Sequence, residues 1–469
     1  EGTAGAGGAG LMARGKKKET LTPEERLQAA LVPESEQPYK IPENWCWIHL
    51  GKLYQINPKN LAEDFVDAAF IPMEKIAPGF VNEYSFDVQP WCKAKKGHTQ
   101  FADGDVAFAK ISPCFENRKS MLLNNLPNGI GGGTTELVIL RQSYMNQKYT
   151  FWFISQEQFI RGGIATYSGT VGQQRISMDY VRTYPIPVPP LLEQQRIVDR
   201  IESLFAKLDE AKQKAQDALD SFETRKSAIL HKAFTGELTA QWRKKHGVGM
   251  EGWEKTTIND IGDVKGGKRI PKGMELTYEN TGHPYLKAGN LKQGTVIASG
   301  MMYVTEEILK CIKNYTVSAG DVYITNVGAC IGDCGIIPWE YDGANLTENA
   351  VKITNLKCNN KWLSYYLSGS SVQQNIKSMI ASATLGKLSI ANIKKIELNI
   401  PASLDEQAEI VRILDDLLAK EQQAKETAEK VLEQIDLIKK SILARAFRGE
   451  LGTNDPGEES AVELLKQVL

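Results

Sequence analysis

The sequence is short of the residues from which catalytic and metal sites are usually built. Its five histidines, His49, His98, His231, His246 and His283, are scattered, none beside a serine or cysteine in a triad-like context and none paired at metal-ligand spacing. Seven cysteines, an odd number with no CxxC pair, argue against a disulfide framework and against a zinc site. Cys330 and Cys334 come closest, with no Cys/His pair to accompany them. No apolar run approaches the roughly 18 residues of a membrane span, and the N-terminus lacks an apolar signal core, so a cytoplasmic location with no membrane partner is expected. A net charge of -1 excludes a polycation drawn to nucleic acid by bulk attraction. Any DNA contact must come from local patches.

Several stretches imitate nucleotide or catalytic motifs and fail on inspection. Gly262 to Lys268 satisfies GxxxxGK, yet Arg269 follows where a magnesium-binding Ser or Thr is needed, and Pro271 stops the helix that would cradle phosphate. Gly131-Gly132-Gly133 opens no helix and precedes a β-like run, which predicts a turn. Asn454-Asp455-Pro456-Gly457 is a helix cap and lacks the Asn-Pro-Pro-aromatic order of adenine methyltransferases. Asp415-Asp416 sits on an exposed flank of a heptad helix. No residue is assigned a catalytic, cofactor-binding or metal-binding role.

What the sequence does have is a duplication. Residues 193–238 recur at 406–451 with a constant offset of 213, and 19 of the 46 positions are identical, including a shared AF-x-GEL ending. In the first copy Ile197, Ile201, Leu204, Leu208, Ala211, Ala215, Ala218, Phe222 and Ile229 fall at 4-3-4-3 spacing, with Arg225 the one break. In the second copy Ile410, Leu414, Leu417, Ala424, Ala428, Val431, Ile435, Ile438 and Ile442 keep the register, with Glu421 the polar lapse. Heptads of this kind predict two helices of about 40 residues, roughly 60 Å each, packed on one another as a coiled coil. Glu421 is expected to weaken the seam at a water-filled or partner-facing point.

The regions before each helix read as mixed domains. Strands are expected at 105–109 and 136–140 with a helix near 149–159, and again at 321–325 and 350–354 with a helix at 361–379. Weak landmarks recur at offsets between 208 and 216: Trp45 and Trp253, Pro72 and Pro284, Gly104-Asp105-Val106 and Gly320-Asp321-Val322, Thr135-Glu136 and Thr347-Glu348, Ser177 and Ser389. The expected fold is α+β: two tandem mixed domains separated by two long helices forming an antiparallel coiled coil, with an internal pseudo-two-fold repeat. The divisions are 1–41 (a cloning remnant before Met12, then a helix capped by Thr22-Pro23), 42–190, 191–240, 241–400, 401–452 and 453–469, the last with a helix from Ala461.

The proline-rich approach Pro187-Val188-Pro189-Pro190-Leu191-Leu192-Glu193-Gln194, its echo from Ile400 to Gln407, the AF-x-GEL endings and the Gly-Asp-Val and Trp45/Trp253 landmarks together resemble the specificity subunit of type I restriction-modification systems, over residues 42–451. The resemblance implies two target recognition domains, each reading half of a bipartite double-stranded DNA target in the major groove, and helices that space them and dock two methylation subunits. It implies S-adenosylmethionine in those partners, none in this chain, and restriction subunits in the full complex.

DNA-reading residues do not carry over by motif. Side-chain chemistry nominates Lys93, Lys95, Lys96, His98, Lys110, Asn117, Arg118, Lys119, Gln173, Gln174 and Arg175 in the first domain, and Lys265, Lys268, Arg269, Lys272, Lys287, Asn290, Lys292, Asn326 and Lys387 in the second. A coiled-coil adaptor whose side domains bind proteins is the competing expectation. A single-chain restriction-methylation enzyme would need methyltransferase motifs that the sequence does not show.

Overall fold

The computed structural model describes residues 22–381 and 386–468. The first eleven residues and Met12 lie outside that range. The chain forms two compact units: one gathers the chain up to Gln213 with Val431 onward, and the other is Lys214–Lys430. Each unit therefore owns one domain and one length of each long helix.

In the first unit the antiparallel pair Cys46–His49 and Pro185–Val188 brings the two ends of the domain together. Between them lies a four-stranded sheet in the order Gln55–Ile56, Leu137–Arg141, Val106–Ala109, Ser120–Leu122. A second sheet runs Asp87–Pro90, Asp67–Ile71, Ile130–Gly133, Thr99–Ala102. The triple glycine expected to be a turn is thus an inner strand, parallel to Ala69–Ile71 and antiparallel to Thr99–Ala102. A Cβ on Gly132 would lie 2.0 Å from the Ala94 carbonyl oxygen, and one on Gly133 2.5 Å from that of Ile71. Glycine is there because backbone and ring atoms close over the strand, a need that the local sequence does not announce.

The second unit repeats the plan. Trp253–Thr257 pairs with Glu397–Pro401, and the main sheet runs Asp263–Gly266, Ala350–Thr354, Val322–Thr325, Cys334–Ile336, the same order as its counterpart. The GxxxxGK stretch is the edge strand of this sheet, in ladder with Val351 to Thr354, so no phosphate-cradling loop forms. The expected single helices of both domains are each two. Gln147–Ile154 and Glu157–Ile164 part at Ser155-Gln156, and Asn360–Ser368 and Ser370–Ala381 part at Gly369, where an extended backbone halts the run.

The long helices span Leu191–Asp220 with Phe222–Phe234, and Leu404–Ala446. The first is interrupted at Ser221, whose hydroxyl donates to the Asp217 carbonyl, a back-bond that loosens the ladder. Within each unit the two lengths run antiparallel. In the first, Lys439 Nζ bonds Asp209 at 2.6 Å, while Ile197, Ile201, Phe205 and Leu443 share the domain core. In the second, Arg225 Nε bonds Glu421 Oε2 at 2.8 Å and Lys425 lies 4.9 Å over the Phe222 ring. Ile410 and Leu414 are fully buried in that unit's core, with Ile229 packed at its edge. Phe222 and Ile435 are buried, whereas Leu204, Leu208, Leu417, Val431 and Ile442 are partly covered.

Two expectations for the seam are corrected. Glu421 faces neither a void nor an outside partner, because the one lapse of each copy pairs with the other. Ile438 is 42% exposed, and its neighbour Lys439 takes the inward place at 4%, its stem lying over Phe205 and its ammonium held by Asp209. The Arg225–Glu421 pair is partly exposed, so a double-mutant cycle to alanine should give a coupling of about 0.5–1 kcal/mol. Arg225→Leu with Glu421→Leu, which restores the apolar seam, should be at least as stable as the parent in urea unfolding. A coupling near zero would mean that the ion pair does not hold the register.

Each domain is fixed to its helices by one buried device, made twice. Trp45 Nε1 donates to Glu193 Oε2 at 2.7 Å, and Trp253 Nε1 to Glu406 Oε1 at 3.2 Å. Gln194 accepts from the Asn146 backbone N–H and donates to the Pro189 carbonyl. Gln407 does the same with Asn359 and Pro401. Asn146 and Asn359 in turn cap the helices that follow them. The AF-x-GEL phenylalanines complete the joint: Phe447 meets Tyr149 and Phe153, each at 5.2 Å, and Phe234 meets Trp362 at 5.7 Å and Tyr366 at 4.9 Å.

Candidate nucleic-acid interface

In the first domain the strand Val106–Ala109 ends at Lys110, and the chain there is gripped from two sides. Lys110 N–H donates to the Glu136 carbonyl at 2.8 Å, and Ile176 N–H donates to the Lys110 carbonyl at 3.0 Å. Ser112 N–H reaches the Gln174 carbonyl, and Ser168 and Arg175 bridge the base of a loop whose tip bears Gly169 and Gly172 at positive φ. This loop holds Val171 at 89% exposure with Gln173 also exposed. Lys110, Gln173, Gln174 and Arg175 therefore form one cluster. Arg175 is forked onto Glu136 at 2.7 and 2.8 Å, and those hydrogen bonds hold the Glu136 carboxyl below its usual range.

The second domain builds the same corner with other side chains. Asn326 N–H donates to the Asn349 carbonyl at 2.9 Å, and Leu388 N–H to the Asn326 carbonyl at 3.0 Å. Lys268 N–H bonds the Leu346 carbonyl, its ammonium lies 5.5 Å over Tyr315, and Arg269 Nε bonds Glu348 at 2.6 Å. Burial works to raise the Glu348 carboxyl, but hydrogen bonds led by that from Arg269 leave it below the usual range. Lys268, Arg269, Asn326 and Lys387 are gathered here.

The remaining candidates lie apart from these clusters or are already engaged. Arg118 turns inward, Nε to the Ser155 carbonyl at 3.0 Å, paired with Glu157 and 4.9 Å over Phe80. Lys119 Nζ bonds the Met73 carbonyl at 2.9 Å, and Asn117 beside it is exposed. Asn290 is 2% exposed and ties its own turn, donating to the carbonyls of Ile297 and Ser299. Asn290 is corrected to a structural role because it is buried with its amide bonded to its own turn, whereas Arg118 and Lys119 are partly covered and engaged with backbone carbonyls and, for Arg118, with Glu157.

Lys93 and Lys96 are exposed around the short helix Trp91–Ala94, Lys95 pairs with Asp64, and the His98 ring packs edge-on to Phe70. Lys265 is exposed on its edge strand at 3.5 Å from Asp263; Lys272 and Lys292 are exposed, and Lys287 is partly buried. Lys244 and Lys245, a short basic run, are exposed beside the buried Arg243 on the helix Ala240–His246.

The fold defines a duplicated protein of two mixed domains, each mounted on paired helix and presenting a diverged loop cluster at the same strand end. The family model for the type I restriction modification DNA specificity domain matches residues 131–219 and 250–434, more than half of the chain, and the chain belongs to that family. It is 36% identical over 242 residues to the type I restriction enzyme EcoAI specificity subunit of Escherichia coli, a match covering 50% of this chain and 40% of that subunit. It is also 36% identical over 220 residues to the EcoEI specificity subunit of the same species, covering 45% of this chain and 37% of that protein. The chain thus spans well under half the length of these two relatives. In fold it is similar to the HsdS subunit from Thermoanaerobacter tengcongensis, with a TM-score of 0.67 at 18% identity, covering 89% of this chain and all of that one. No helix among the described residues is long and apolar enough to cross a membrane.

Proposed function

We propose that this chain is the DNA sequence-recognition subunit of a type I restriction-modification complex, each domain reading one half of a bipartite target in the major groove. One observation carries the reading. The two domains keep the same backbone hydrogen bonds at the corner beyond the central strand, yet exchange Lys110 for Asn326 and Arg175 for Lys387 in it. A frame held constant under side chains that change suits two readers of different sequences, since arginine pairs with guanine and asparagine with adenine through paired hydrogen bonds.

In this reading the paired helices space the readers and dock two methylation subunits, which carry S-adenosylmethionine. Restriction subunits join them in the cytoplasm to cut DNA, and the chain itself catalyses nothing. Replacing residues 45–190 with the matching domain of a relative, in a host that supplies the methylation partner, should change one half of a split adenine-methylated motif and leave the other. A swap that altered both halves, or a host that showed no split motif, would defeat the reading.

A further inference from the structure

The duplication leaves one place filled in the first unit and open in the second. In the first unit a cluster of rings stands between domain and helix: Phe205 lies 5.0 Å from Trp152 and 5.8 Å from Phe80. Lys439 sits 5.0 Å over Phe205, and Arg118 4.9 Å over Phe80. The offset of 213 that holds along the helices gives Leu418 for Phe205 and Tyr365 for Trp152, and taken backwards gives Lys226 for Lys439. Those three residues line a cavity of about 750 Å³ within the second unit, a volume in the range that binding sites occupy.

The cation has been kept while the ring beneath it has been lost. Lys226 corresponds to a lysine that rests on a phenylalanine, but Leu418 offers it no π face. Asp209, which holds Lys439, is replaced by Gln422, also in the cavity wall. The other lysines there are occupied, Lys361 by Asp415 and Lys425 by the Phe222 ring. Glu223 and Asp333 also line the space, so an anionic guest is disfavoured. The missing component is an uncharged aromatic group.

We propose that this cavity receives an aromatic side chain from a polypeptide partner, the ring lying against Lys226 as Phe205 lies against Lys439. The inference is independent of DNA reading, and it gives the second unit a docking point that the first has sealed with its own residues.

The probe is N-acetyl-tryptophanamide, followed by saturation-transfer NMR on the full chain. Saturable binding is expected. N-acetyl-leucinamide should bind about two- to fivefold more weakly, as should the tryptophan probe to Lys226→Met, the margin that a cation–π contact of about 0.5–1 kcal/mol sets. Leu418→Phe, which restores the ring of the first unit, should abolish the signal without lowering thermal stability. Absence of saturable binding, equal binding of the leucine probe, or a signal that survives Leu418→Phe would overturn the proposal. Free tryptophan binding more tightly than the blocked amide would also overturn it, by assigning the site to an amino acid. If Leu418→Phe fails to fold, Lys226→Met alone decides.

Discussion

Glu406→Ala should lower the stability of the second unit by about 3–5 kcal/mol, the cost of stranding a buried charge. Glu406 Oε1 accepts from Arg243 at 2.7 Å, from Thr239 at 2.8 Å and from Trp253 at 3.2 Å. The side chains of Arg243 and Glu406 are 9% and 5% exposed, so neither charge can turn to water for compensation. The duplicate position answers differently. Glu193 is bonded by Trp45 and by Asn454 at 2.9 Å, with Thr453 at 3.4 Å, all neutral donors.

Burial raises the Glu193 carboxyl above its ordinary value, against the pull of Asn454 and Trp45. A raised folded-state value means that the native form holds its proton more tightly. Stability from this group is therefore highest below the ordinary carboxylate range and falls as pH rises from there through the folded value. Glu193→Gln, which keeps an acceptor and removes the charge, should change the first unit by less than about 1 kcal/mol at neutral pH. Hydrogen exchange read on peptides of each unit separates the two outcomes. A small effect at Glu406, or an equally large one at Glu193, would break the argument that the duplicated acid is bonded directly by a cation in one copy alone.

Phe447→Ala is the second large effect. The side chain is fully buried between Tyr149 and Phe153, and the Phe447 carbonyl accepts from the Tyr39 hydroxyl at 3.1 Å. Truncating such a ring costs about 3–5 kcal/mol, part transfer and part cavity. Phe234, only partly buried, should cost less. Phe447→Leu should recover part of the loss. Equilibrium unfolding in urea measures all three, and equal losses at the two phenylalanines would show that burial does not govern the joint.

The heptads were legible because a helix repeats its face at a fixed interval, and the duplication because the offset never drifts across 46 residues. Ile438 misled because a long aliphatic stem can do the work of isoleucine once a carboxylate waits for its ammonium, and Asp209 is 230 residues away in the chain. The triple glycine misled for a similar reason, since what crowds it comes from Ala94, Phe101 and Ile71. Glu193 and Gln194 were visible as a repeated pair, but their burial is a tertiary fact. Among the DNA candidates, Arg118 and Asn290 looked like any polar loop residue. Nothing in the residues beside them says that a carbonyl has claimed their donors.

The first unit is assembled from two separated stretches of chain, the second from one. During synthesis Lys214–Lys430 can finish folding as soon as it has emerged, whereas the residues that seal the first domain, Phe447, Asn454 and Leu465 among them, arrive last. At about 5–20 residues per second the wait is on the order of 10–45 s. Throughout it Trp45, Tyr149 and Phe153 lack the residues that cover them in the finished fold, so the earlier-made domain keeps apolar surface open the longer.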